Sequence, residues 1–114
     1  MADQSDRKLE RKELSHSIVI DDVINGGVFG ELINVTTDGL MAITSEEIAT
    51  QSIFQLSLRL PKEIEGSNSI SLGADCLWCR KADNFHRYWA GFQIIDASDT
   101  ALQQLKTLVE EYSK

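Results

Sequence analysis

The sequence predicts a mainly β fold: a six-stranded antiparallel β-barrel with a C-terminal α-helix and a flexible N-terminal arm. Three observations carry this expectation. Short runs alternate apolar and polar residues through the middle of the chain, and turn residues interrupt them at close intervals. From Ser98 onward the apolar period lengthens from that of a strand to that of a helix.

Residues 1–14 are polar, carry charges of both signs and offer only Leu9 and Leu14 as sizeable apolar groups, so they read as the arm. Residues 15–114 then form the barrel and its helix. Ser17 to Ile20 is a short β-branched strand, followed by Asp21-Asp22 and the hairpin turn Asn25-Gly26-Gly27. Val28 to Val35 and Gly39 to Thr44 are the next two strands. In Ile53 to Leu60, Phe54, Leu56, Leu58 and Leu60 share one face, and Pro61 is expected to end the strand. Glu63 to Ser69 reads as a polar loop. Ile70, Leu72, Ala74, Cys76 and Trp78 then share a face, as do Tyr88, Ala90, Phe92 and Ile94 beyond an Asp83-Asn84 turn. The helix starts at about residue 98, with Leu102, Leu105, Leu108, Val109 and Tyr112 as its apolar stripe. Asp96 or Ser98 is its expected cap, and Asp99 suits the positive end of its dipole.

At 114 residues, 42% apolar and 25% charged, the chain has the composition of one soluble globular domain. Its net charge of −7 argues against duplex nucleic acid and anionic membranes as partners. No run reaches the roughly 18–20 apolar residues of a membrane span, and the N-terminus lacks the apolar stretch of a secretion signal. A cytoplasmic protein with reduced thiols is expected. Against this acidic background, Arg7, Lys8, Arg11 and Lys12 form a local cationic cluster opposed only by Glu10.

Several motifs touch on catalysis or metal binding, and none is complete. Cys76-Leu-Trp-Cys79 is half of a zinc or redox site, with His16 and His86 as the only other soft donors. On a regular strand, positions three apart point to opposite faces, so the thiols are expected to diverge. Gly26-Gly27-Val-Phe-Gly30 lacks the helix and the Lys-Ser/Thr pair of a phosphate loop, and a hairpin turn explains it. Ser15, His16 and Ser17 are neighbours in sequence without a fixed acid–base partner. Pairs such as Glu46-Glu47 and Glu110-Glu111 read as solvated faces. The chain is expected not to be an enzyme and to need no cofactor or metal.

Two elements remain. Arg7-Lys-Leu-Glu-Arg11 spaces two guanidiniums by four residues, and Asn34-Val-Thr-Thr-Asp-Gly39 is a polar turn leading into an apolar strand. Each alone is common, since basic arms aid solubility and Asn, Asp and Gly populate turns for backbone reasons. Their joint occurrence, in this order and on this strand pattern, resembles the PilZ domain, the bacterial receptor module for cyclic di-GMP. Members of that family carry Arg-x-x-x-Arg ahead of the first strand and Asp/Asn-x-Ser-x-x-Gly between the second and third. The stretch Leu77-Trp-Cys-Arg through Tyr88-Trp-Ala-Gly-Phe-Gln-Ile-Ile-Asp96 is similar to the family's last hairpin. Two departures stand out: Thr36 replaces the usual serine, and Lys12 replaces the apolar residue that usually follows the second arginine.

The resemblance implies that cyclic di-GMP is the ligand and that Arg7, Arg11, Asn34, Thr36 and Gly39 bind it, with Lys8, Lys12 and Asp38 as further candidates. Each assignment has a physical basis. Arginine offers a planar fork for phosphate oxygens or guanine O6/N7 and a plane that stacks on a purine. Asn34 can read a guanine edge and Thr36 can donate its hydroxyl, while Gly39 permits a close backbone approach or a positive φ. Lys8 and Lys12 add unspecific attraction to phosphate. Charge-assisted bonds contribute about 1.5–3 kcal/mol each, against about 1–2 kcal/mol for each arm residue ordered, so an affinity around micromolar is expected. Asp6 in place of another arginine points to one nucleotide per protein. Ordering of the arm would then change the surface shown to an unidentified downstream protein. The alternative is a PilZ-like adaptor that binds protein and no nucleotide, through surfaces that include aromatics such as Trp89.

Overall fold

The computed structural model describes residues 17–82 and 86–112. Among the described residues, six strands, β1 (Val19–Asp22), β2 (Val28–Val35), β3 (Gly39–Thr44), β4 (Ile53–Ile64), β5 (Ser67–Lys81) and β6 (Tyr88–Asp96), precede one helix, α1 (Asp99–Tyr112). All strand pairs are antiparallel, and the sheet closes on itself in the order β1-β2-β3-β6-β5-β4. Closure gives every described strand a partner on both sides. The expected mainly β barrel with its C-terminal helix is the fold observed. The arm, and with it Arg7, Lys8, Arg11, Lys12 and His16, lies outside the described residues, as does the Asp83-Asn84 turn.

The core follows the strand alternation. Ile20, Leu32, Ala42, Leu56, Leu58, Ile70, Leu72, Ala74, Ala90 and Phe92 are buried inside the barrel. Phe29, Phe54 and Phe92 meet there at centroid separations of 5.2–6.2 Å in tilted and edge-on arrangements. The Asn25-Gly26-Gly27 turn forms as expected: Gly26 N–H donates to Asp22 O at 2.9 Å, and Asp22 N–H to Gly27 O at 3.0 Å.

Five expectations need correction. Strand β1 covers Val19–Asp22 rather than Ser17–Ile20, because Asp21 and Asp22 pair with Ser57 and Leu56 of β4; Arg59 of that strand also holds Asp21 in bidentate fashion, at 2.7 and 2.8 Å. Pro61 does not end β4, which runs to Ile64. The β4–β5 register shifts between Arg59 and Ile64, so the missing proline N–H falls where the ladder is already broken. What read as a loop over residues 63–69 is a two-residue turn, Glu65-Gly66, with both φ angles positive, at 54° and 79°.

In α1, Leu105 and Leu108 are buried as expected, but Leu102 is exposed and Ala101 faces the barrel in its place. Ser98 is the cap, its Oγ accepting from Ala101 N–H at 3.0 Å. Gln104, buried, donates its amide at 3.0 Å to the carbonyls of both Ile64 and Ser69. That double bond straddles the β4–β5 turn and sets the helix rotation, so a polar residue occupies a position that an apolar stripe alone would not assign.

The fifth correction lies in β5. Cys76 pairs with Phe92 and Trp78 with the next residue back, Gly91, leaving Leu77 as an extra residue. This bulge reverses the facing of everything after it. Trp78, expected inside, is half-exposed, and Cys79, expected to diverge from Cys76, packs against the core on the same side as Cys76.

Candidate functional site

The β2–β3 connection is built around one hydroxyl. Val35 and Leu40 are buried anchors at its two ends. Between them, Thr36 Oγ accepts from the N–H groups of Asp38 and Gly39, both at 3.1 Å, and donates to Gly39 O at 3.4 Å. Thr36 N–H also donates to Gly39 O at 2.8 Å. This hydroxyl therefore shapes the turn, and the methyl that distinguishes threonine from serine leaves the bonding intact.

Gly39 has no positive φ. It is required by approach: a Cβ there would stand 2.6 Å from Phe92 O on β6. Of the two roles foreseen for this glycine, close backbone approach is the one realised, and the approaching backbone is the neighbouring strand. Asp38 O accepts from Ile94 N–H at 2.8 Å, which ties the turn to β6 a second time. The Asp38 side chain is exposed.

Asn34 is half-buried and follows a register shift of its own, between Leu32 and Asn34. Its ladder partner is Met41, whose partner on β6 is Gly91, whose partner on β5 is Trp78. Met41 alternates with the buried Leu40 and Ala42, so this row runs over the outside of the barrel. Three strand spacings, about 14 Å along the sheet, separate Asn34 from Trp78. The Trp78 indole lies over Gly91, and the Arg80 guanidinium is 5.1 Å from the indole centroid. Trp78 is not among the expected site residues because strict alternation places it in the core. Only the extra residue at Leu77 brings it to this row.

The first described residues are Ser17 and Ile18. Leu32 N–H donates to Ile18 O at 2.9 Å, so Ser17 and Ile18 lie beside β2, antiparallel to it. Ser17 thus stands at the barrel end that carries the 36–39 turn. Arg11 is six residues upstream, a reach of about 20 Å in extended chain.

The cysteines form no complete site. Both are free; Cys79 Sγ accepts from Ile48 N–H at 3.4 Å, and burial, with Cys79 nearby, pushes the Cys76 thiol above its usual range. Among the described residues, no group of three His, Cys, Asp or Glu side chains is placed to hold a metal. No described helix is long and apolar enough to cross a membrane.

Comparison with known proteins adds three findings. The sequence model of the family described as PilZ domain matches residues 5–111. The fold is similar to that of the inhibitor of motility MotI/DgrA from Bacillus subtilis, with TM-score 0.68, 12% identity, and coverage of 87% of this chain and 48% of that one. It is also similar to the PlzA protein of Borreliella burgdorferi, solved in complex with c-di-GMP, with TM-score 0.53, 9% identity, and coverage of 94% of this chain and 48% of that one. The chain spans about half the length of these two structures. No curated protein matches it in sequence.

Proposed function

This chain belongs to the PilZ domain family, and from that premise we propose that it is a cyclic di-GMP receptor whose N-terminal arm closes over the nucleotide on the outer face of the barrel. The observation that supports this reading is the hydrogen bond from Leu32 to Ile18, which sets Ser17, the first described residue, at the barrel end that carries the 36–39 turn. The complex of PlzA with c-di-GMP supports the choice of ligand.

In this reading Arg7 and Arg11 supply the positive charge, with Lys8 and Lys12 adding unspecific attraction. Their forks bond phosphate oxygens or guanine O6/N7, and their planes stack on the purine. Asn34 offers its amide to a guanine edge. The exposed Asp38 carboxylate accepts from guanine N–H groups or from an arm guanidinium. Thr36 and Gly39 act one step back, holding the turn and its approach to β6. The outward row ending at Trp78 and Arg80 provides an aromatic and cationic margin for the base farther from the turn. Ordering of the arm is the output that a downstream protein reads.

Calorimetric titration of the folded protein with cyclic di-GMP tests the proposal. An affinity around micromolar, with slowed amide exchange in residues 1–14, is expected. A flat heat trace would leave the nucleotide-free adaptor as the function.

A further inference from the structure

We propose that the barrel mouth opposite the 36–39 turn is a protein-docking surface, and that its partner presents a cationic, apolar segment. The inference does not rest on nucleotide binding, because the surface is fully formed in the described residues.

Five large apolar side chains are more than half exposed at this mouth: Val23 at 57%, Ile24 at 70%, Val28 at 65%, Ile53 at 62% and Leu77 at 54%. They come from three separate stretches of chain. The β1–β2 hairpin tip lies against β4 through Val23 N–H donating to Gln55 O at 2.9 Å. The bulged stretch of β5 lies beside the start of β4 through Cys76 N–H donating to Ser52 O at 3.0 Å. Single exposed apolar residues are ordinary, whereas five converging at one end of a small barrel mark an interaction site.

Beside this patch a cleft of about 560 Å³ opens between the hairpin tip and the 45–52 loop. Val28, Phe29, Ile48 and Phe54 contribute apolar lining, and Asp22, Glu46 and Glu47 contribute carboxylates, with no cation among the described residues that line it. The Asp22 carboxylate accepts from the backbone of Ile24 and Asn25 at 3.0 and 2.9 Å, which keeps it ionised and in place. An apolar floor under a carboxylate rim matches a lysine or arginine side chain, which buries its methylene stem and keeps its charge among anions. A second copy of this chain is a poor occupant. A two-fold contact would press the same three carboxylates against their own symmetry mates.

The test uses the full chain and three synthetic peptides of equal length, alternating Lys/Leu, Lys/Ser and Glu/Leu, followed by amide chemical shifts without nucleotide. Saturable shifts confined to residues 22–29, 45–54 and 77, with the Lys/Leu peptide alone, are expected. Ile24→Asp and the pair Glu46→Lys, Glu47→Lys should each weaken that binding by about tenfold or more, with barrel shifts elsewhere unchanged. Equal shifts with the Lys/Ser peptide would reduce the effect to bulk charge and overturn the proposal. So would shifts spread over the whole barrel, or self-association through the same residues before peptide is added. Failure here leaves the cyclic di-GMP titration unaffected, so the two proposals stand or fall separately.

Discussion

The Trp78 indole lies so close over Gly91 that a Cβ at position 91 would overlap its Nε1 and Cε2 atoms. The contact joins β5 to β6 across the outer face and depends on the bulge at Leu77, which carries Trp78 out of the barrel. Gly91→Ala should therefore displace the indole and cost about 1–3 kcal/mol, measured by chemical denaturation. In the Trp78→Ala background the same change should cost much less. Equal costs in both backgrounds would show that the contact is not what excludes a side chain.

Thr36→Val removes the acceptor of two backbone N–H groups while keeping the side-chain shape. A loss of about 0.5–1.5 kcal/mol is expected, because solvent partly replaces the bonds at this exposed turn. Thr36→Ser should be close to neutral. If serine and valine behave alike, the hydroxyl does not hold the turn.

At Gly39 the obstacle to a side chain is backbone, the Phe92 carbonyl, which cannot rotate away. Gly39→Ala should move the turn relative to β6, with a stability loss of about 1–3 kcal/mol. Nucleotide affinity should fall with it, read by calorimetry.

Arg11→Ala should weaken cyclic di-GMP binding by about tenfold or more and leave the thermal unfolding of the barrel unchanged. Arg11→Lys should recover only part of the loss, since an ammonium keeps charge and lacks both the fork and the stacking plane.

The Arg59 guanidinium hydrogen-bonded to Asp21 holds that carboxyl below its usual range, and the Asn25 and Ile24 N–H groups do the same for Asp22. A carboxyl whose folded pKa lies below its unfolded value lends stability above the unfolded value, and that stability disappears as pH falls through the folded one. Acid titration of the denaturation midpoint should accordingly fall less steeply below about pH 4 in Asp21→Asn and Asp22→Asn than in the parent chain.

The strands were legible because a closed barrel with an apolar interior forces period-two alternation. Val28–Val35 and Gly39–Thr44 coincide with their expected limits. Leu56 and Leu58, Leu72 and Ala74, and Ala90 and Phe92 are buried where alternation places them. The polar turn between β2 and β3 was equally visible, since Thr36, Asp38 and Gly39 are residues that a tight connection selects for local reasons.

Tertiary structure decided what local pattern cannot encode. Whether Pro61 ends a strand depends on whether its partner strand needs an N–H there. Which side of the barrel holds Trp78 and Cys79 depends on one unpaired residue, Leu77, set by the ladder with β6. The rotation of α1 depends on Gln104 reaching two carbonyls far away in sequence. Alternation and turn chemistry are properties of neighbours along the chain, so sequence alone carries them. Register, facing after a bulge and helix rotation are set by hydrogen bonds between distant segments, and exist only once the barrel has closed.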